Sequence, residues 1–179
     1  MADMQNFSVL ERLRDGTQVT VRAVCPDDKD KIVAAFHALG PETVYARFFQ
    51  HKSGLTAEEL RHATEPDFEN DVALVTTLGQ DERETIIGGG RYSAFDEANG
   101  RRSAEIAFTV EEDDQGQGIA SHLLRHLTRI GRERGVTHFR ADVLADNGAM
   151  LAVFERSGLP MSVSRDTDVI HVMLDLKTE

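Results

Sequence analysis

The sequence predicts one mixed α/β sheet with helices on both faces, and three observations carry that prediction. The 179 residues match the ordinary size of a single domain with one main core. Several strand-like segments are joined by short polar turns, which makes antiparallel neighbours. The strand ending at Val110 is instead followed by an amphipathic helix and a further strand, the pattern of a right-handed crossover to a parallel neighbour.

Met1 to Gly16 is read as an N-terminal leader, 17–176 as the domain and 177–179 as a tail. Thr17 to Val24 alternates, with Val19, Val21 and Ala23 on one side, as a half-buried strand does. Pro26, Asp27, Asp28 and Asp30 resemble a helix entrance, and Ile32, Val33, Phe36 and Leu39 follow at helical spacing until Gly40-Pro41. A short helix is expected over 42–49 and another from Thr56, where Thr56-Ala-Glu-Glu59 has the form of a capping box. Val72 to Leu78, Thr85 to Ser93 and Ser103 to Val110 read as three strands. Ile119, Leu123, Leu124, Leu127 and Ile130 share one helical face, ended by Gly135. A strand at 139–144, a helix at 147–157 and strands near 161–165 and 169–176 complete a mostly antiparallel, twisted sheet of six to seven strands.

Composition removes whole classes of function. The chain carries 31 acidic against 20 basic side chains, a formal charge of -11, the wrong sign for broad gripping of nucleic acid or of an anionic membrane. No apolar run approaches the ~20 residues of a membrane span. Cys25 is the single cysteine and has no partner for an internal disulfide, and the start lacks the apolar stretch of a signal peptide. A reducing cytoplasm is therefore the expected location.

Chemistry is expected where the parallel pair begins, since ligands favour strand ends at such switch points. Gln115-Gly116-Gln117-Gly118-Ile119-Ala120-Ser121 leads from a strand end into a helix start. Two glycines and a small alanine let amide N–H groups point at an anion, as a pyrophosphate requires. No lysine follows, so the backbone has to carry the binding, and an ordinary glycine turn is the plain alternative. The acids at 111–114 argue for that alternative, because charges within about one Debye length (~8 Å) repel a phosphate unless they turn to solvent.

Gln115-x-x-Gly118-x-Ala120 resembles the Gln/Arg-x-x-Gly-x-Gly/Ala signature of the GCN5-related N-acetyltransferases (GNAT), and Asn147 to Leu159 resembles that family's second segment. The likeness covers roughly 17–176. It implies a sheet that splays into a V-shaped cleft between the strand ending at Val110 and the strand at 139–144, with acetyl-CoA as co-substrate and no metal. The pyrophosphate is then expected on the amides of 115–120, and the pantetheine arm beside Phe108, Thr109 and Val110. Asn147 matches an asparagine that holds the pantetheine; it also suits a plain helix N-cap. Arg22-Ala-Val-x-Pro26-x-Asp28, Tyr45-x-Arg47-Phe48-Phe49 and Arg91-Tyr92 are similar to the bacterial protein lysine acetyltransferases that modify acetyl-CoA synthetase. The plain reading of the Tyr45 stretch is an amphipathic helix burying Val44 and Phe48.

Alternation along 104–110 places Ile106, Phe108 and Val110 on one face and Glu105, Ala107 and Thr109 on the other. A carboxylate beside two small side chains is the best candidate for a general base, because an alkyl amine with a pKa near 10.4 must lose a proton before it attacks a thioester. The family likeness supports Glu105 in that role. The alternative is a solvated carboxylate or one paired with Arg91. Many family members place a tyrosine where this chain has Phe154, so protonation of the leaving thiolate has to come from elsewhere, and water suffices for a thiol of near-neutral pKa. His122 and His126 stand at i, i+4 with no third ligand near in sequence and are read as helix-surface residues. Gly88-Gly89-Gly90 is read as structural. The expected function is acetyl transfer by direct attack to a primary amine, a protein lysine first and a small-molecule amine second, by a monomer or homodimer. A non-catalytic acyl-CoA sensor is the rival from another class.

Overall fold

The computed structural model describes residues 4–110 and 115–177; the acidic run 111–114 lies outside the described residues. Eight strands form one sheet in the order β1-β2-β3-β4-β5-β6-β8-β7. They are β1 (Ser8–Arg12), β2 (Gln18–Ala23), β3 (Asp71–Leu78), β4 (Thr85–Asp96), β5 (Arg102–Val110), β6 (His138–Leu144), β7 (Met161–Asp166) and β8 (Val169–Asp175). Every neighbouring pair is antiparallel except β5 and β6. The five helices are α1 (Lys29–Ala38), α2 (Pro41–Phe48), α3 (Ala57–Thr64), α4 (Ile119–Glu133) and α5 (Gly148–Arg156). The mixed fold is as the sequence predicts, with one strand more than the six to seven expected. That strand is β1, which lies inside the stretch read as a leader and pairs with β2 from Ser8↔Arg22 to Arg12↔Gln18.

Strand alternation divides the interior in two. Val72, Leu74, Ile87, Tyr92, Ile106 and Phe108 point toward α4 and α5, where Ile119, Leu123, Leu124, Leu127 and Ile130 supply the facing stripe. All five of those helix residues are at most 2% exposed. On the other face Ala73, Val75 and Ile86 form a much smaller cluster with Val24, Ile32 and Ala35 beneath α1. A network of charged groups ties that second face together. Arg22 on β2 donates to both Asp28 oxygens at 2.8 Å and to Glu84 at 2.9 and 3.2 Å, and Lys31 of α1 reaches Glu84 at 2.7 Å. The hydrogen bonds from Arg22 hold the Glu84 carboxyl down to about 2.

The capping box is realised at α3: the Thr56 hydroxyl accepts from the Glu59 amide at 3.1 Å, and Glu59 accepts from the Thr56 amide at 3.0 Å. The glycine run in β4 has two different causes. A β-carbon on Gly88 would meet Ile119 Cγ2 at 2.8 Å, and one on Gly90 would meet the Phe108 ring at 2.8 Å, so α4 and β5 require both to be bare. Gly89 faces the other side, where a β-carbon would meet Leu74 O at 3.4 Å and Val75 Cγ1 at 3.9 Å, ordinary contact.

Candidate functional site

The one parallel pairing is short. β5 and β6 are in register at Ser103↔His138, Ala104↔Phe139 and Glu105↔Arg140, and the ladder stops there. Both strands run on, β5 to Val110 and β6 to Leu144, so their facing edges part beyond Glu105 and leave main-chain groups with no strand partner. The opening is a cleft of about 960 Å³, lined on one wall by Ile106 to Val110, on the other by Ala141 to Leu144, and at its ends by the turn before α4 and by Asn147. This is the splayed cleft that the sequence resemblance implies.

The turn has the backbone of an anion cradle. Gly116 and Gly118 have φ of +82° and +94°, a region that side chains disfavour. Space is open around a Gly116 β-carbon. The first backbone bond of α4 runs from the His122 amide to the Gly118 carbonyl at 3.0 Å, so the amides of Ile119, Ala120 and Ser121 precede the helical ladder and present the positive end of its dipole. Gln115, Gly116, Gly118, Ile119, Ala120 and Ser121 all line the cleft. Gln115 also braces its floor, donating to the Val110 carbonyl at 3.1 Å and to Thr43 Oγ1 at 3.3 Å. Gln117 points elsewhere: its side chain accepts from the Asp15 amide at 3.1 Å and its carbonyl accepts from the Arg14 amide at 3.0 Å.

Those two bonds reveal a contribution that sequence reasoning missed. The tight β1–β2 connection, Leu13 to Gly16, packs against the turn from outside, and Arg14 Nη1 donates to the Gly116 carbonyl at 2.9 Å. Arg14 lines the cleft and brings a positive charge to a site whose nearest motif carries none. Nothing in the local sequence signals this, because the partners lie about a hundred positions apart. The same oversight explains the histidines. His126 is 8% exposed rather than on the surface, its Nε2 stands 2.7 Å from Glu11 Oε1 on β1, and His122 Nε2 lies 3.0 Å from the Arg12 carbonyl. Burial drives the His126 pKa down, so it packs as a neutral ring. Among the described residues no group of three or more His, Cys, Asp or Glu side chains is arranged to hold a metal.

Glu105 lies on the exposed side of β5, at the last paired residue before the strands part. It does not itself line the cleft; its neighbours along that face, Ala107 and Thr109, do. The pairing with Arg91 considered from the sequence is not formed. Arg91 turns to His62, donating to its carbonyl at 3.5 Å and to its Nε2 at 3.3 Å, while Arg140, opposite Glu105 on β6, is bonded to Glu97. The Glu105 side chain makes no hydrogen bond or ion pair among the described residues.

Asn147 serves as the N-cap of α5, its Oδ1 accepting from the Met150 amide at 3.2 Å, and it also lines the cleft. Capping uses the oxygen and spares the NH₂ group. Phe154 is 1% exposed and packs 6.1 Å from the Phe108 ring, a core residue at the cleft wall. Tyr92 is fully buried on the α4 face, where burial pushes its hydroxyl up to about 12, and it is not among the residues that line the cleft. Tyr45, 38% exposed, lines the cleft.

A second cavity, of about 490 Å³, lies on the opposite face between α1–α3 and β3–β5. It shares Arg47, Ala107 and Thr109 with the cleft, so the two spaces meet across β5. Its walls are largely apolar, with Arg47, Arg91, His62, Glu58 and Glu59 as the titratable exceptions.

Comparison with known proteins agrees with this geometry. Residues 42–159 match the model of the Acetyltransferase (GNAT) family. The chain is 32% identical to "Acetyltransferase Pat" of Mycolicibacterium smegmatis over 92% of its own length and 48% of that protein, so it spans about half of that relative. It is 28% identical to "Acetyltransferase PA5475" of Pseudomonas aeruginosa over 79% of its length and 74% of that protein. Among solved structures, the GNAT domain of S. lividans PAT superposes with a TM-score of 0.84 at 33% identity, covering 94% of this chain and 96% of that one. The yncA acetyltransferase of Salmonella typhimurium, described with its cofactor acetyl-CoA, shares the fold at 17% identity and a TM-score of 0.70 over 90% of this chain and 95% of that one.

Proposed function

The chain belongs to the GNAT acetyltransferase family, and on that premise we propose that it is an acetyl-CoA-dependent N-acetyltransferase acting by direct attack on a primary amine, a protein lysine first. The observation that carries the proposal is the meeting, in one cleft, of a β5 edge with no strand partner and the free amides at the start of α4, with the unpartnered Glu105 carboxylate at the point of splay beside it. The residues fit the coenzyme's parts. Gly116, Gly118, Ile119, Ala120 and Ser121 offer amides to a diphosphate, with Arg14 adding charge. Phe108 to Val110 offer an open strand edge to the pantetheine amides, and Asn147 offers its NH₂. When bound, acetyl-CoA supplies the acetyl thioester and a thiolate leaving group.

Glu105 removes a proton from the acceptor ammonium, directly or through a water, so that the nitrogen lone pair forms the new amide bond as the C–S bond breaks and its electron pair passes to sulfur. Backbone N–H groups near Phe108 to Val110 stabilise the charge that develops on the carbonyl oxygen. Phe154 has no proton to give, so the thiolate is protonated by water or by the Tyr45 hydroxyl, and that donor regains its proton from the second one that the nitrogen sheds as the amide forms. The likeness of the Arg22, Tyr45-x-Arg47-Phe48-Phe49 and Arg91-Tyr92 stretches to the acetyl-CoA synthetase-modifying acetyltransferases supports a lysine acceptor. Intact-mass detection of an added acetyl group on candidate proteins, starting with acetyl-CoA synthetase, tests the reading. Acetylation that depends on Glu105 is the expected result; an unmodified set of proteins with acetyl-CoA left intact would refute it.

A further inference from the structure

We infer that the cavity on the α1–α3 face seats the acceptor, and that Arg47 and Arg91 there hold a carboxylate belonging to it, so that preferred acceptors carry an acid a few bonds from the reactive amine. The inference rests on the acetyltransferase reading for the identity of the ligand as acceptor, while the anion subsite itself does not.

Four observations lead to it. First, the cavity joins the cleft at Arg47, Ala107 and Thr109, so a ligand filling it reaches the β5 edge from the side opposite the turn. Second, neither of its two arginines is held in an ion pair. Among the described residues the guanidinium of Arg47 stacks on the Phe48 ring at 4.9 Å and that of Arg91 bonds His62, and neither forms an ion pair. The nearby acids are otherwise engaged or solvated: Glu59 caps α3 and bonds Lys52, Asp71 accepts from Ser93 at 2.6 Å, and Glu58 is exposed. Burial lowers the pKa of both guanidinium groups, and for Arg47 the charge of Arg91 adds to the effect, bringing it to about 10. Asp71 offsets part of this at Arg91 from beyond ion-pair distance and no acid among the described residues does so at Arg47, an arrangement that an incoming carboxylate relieves.

Third, Gly89 forms part of the cavity lining and need not be glycine for packing, since a β-carbon there meets only ordinary contacts; its bareness keeps the space open. Fourth, strand register sets the two ends of a ligand. Arg91 pairs with Ala107 and Ser93 with Glu105, which places Arg91 and Glu105 on one face, diagonal neighbours about 7–8 Å apart at the backbone. An amine at Glu105 and a carboxylate at Arg47 and Arg91 are therefore the two ends of one short molecule, or of a lysine and an acidic residue flanking it.

The test uses 5-aminopentanoate and its neutral amide, 5-aminopentanamide, titrated calorimetrically into the whole chain with and without coenzyme A. The acid is expected to bind at least about tenfold tighter than the amide, the scale of a charge-assisted pair. Arg47→Gln and Arg91→Gln should each erase that preference, and Gly89→Leu should block both ligands with thermal unfolding no lower than that of the parent. Equal binding of acid and amide, no binding of either, or an acid preference that survives both arginine substitutions would overturn the inference. Acetyl transfer then separates the sources: transfer to 5-aminopentanoate identifies a free amino acid-like acceptor, and a higher kcat/KM for a Lys-Asp peptide than for its Lys-Asn counterpart identifies a flanking acid. An acid preference in binding with no acetyl transfer to any amine refutes the acetyltransferase reading and leaves the anion subsite standing.

Discussion

The two faces of the sheet are packed to different standards, although the same strands build both. Beneath α4 the side chains interlock, to the point that Gly88 and Gly90 have no space for a methyl group. Toward α1, α2 and α3 a small apolar cluster sits beside a cavity and a chain of ion pairs. Period-two alternation makes this possible, since neighbouring residues of β3 and β4 serve opposite environments. The difference teaches a division of labour. The tight face fixes α4, and with it the amides proposed for a diphosphate; the looser face leaves the volume proposed for an acceptor.

Substitutions can break that comparison, and the largest effect is expected at the boundary between the faces. Glu105→Gln should lower kcat by about 10²–10⁴-fold, the range for a lost general base, with the Kd for acetyl-CoA unchanged by calorimetry. Next comes packing. Leu127→Ala on the tight face should cost about 2–5 kcal/mol in urea denaturation, as deletions in a close-packed core do. Ile32→Ala, half-buried beside the cavity, should cost less than half as much; equal losses would show that the two faces are packed alike.

A sharper version uses adjacent positions of one strand. Gly90→Ala drives a methyl group into the Phe108 ring, which Phe154 pins, and should destabilise by about 1–3 kcal/mol. Gly89→Ala should stabilise by roughly 0.5–1 kcal/mol, because the unfolded chain loses freedom and the folded one meets no clash. The smallest effect is on acid stability. Glu84 is held to about 2 when folded and has the ordinary value near 4.3 when unfolded, so the unfolded state binds the extra proton as pH falls. Its contribution is present above the ordinary carboxylate range and is lost as pH falls from about 5 toward 2. Glu84→Gln should flatten that limb of the stability curve, read from urea midpoints across pH.

Much of this architecture was legible in the residues. The stripe from Ile119 to Ile130 and the alternation of β5 are local periodicities, and Gly116 and Gly118 announce a left-handed turn before a helix. What escaped was non-local. β1 is a five-residue edge strand with a half-exposed pattern, too short to stand out from a leader, and the role of Arg14 depends on a contact across 102 positions. His122 and His126 look like surface residues until β1 covers them. The cavity was illegible because space is set by how far α1, α2 and α3 stand from the sheet, a distance that no periodicity encodes.

The central claim is that the α4 face of the cleft takes the coenzyme and the α1–α3 face does not. Titrating acetyl-CoA into the isotopically labelled chain and following its backbone amide resonances tests it most directly. The account predicts the largest shifts at Gly116, Gly118 to Ser121 and Phe108 to Val110, with Ile32, His62 and Gly89 little changed. Largest shifts in the cavity residues beneath α1–α3, with the turn before α4 unmoved, would contradict it.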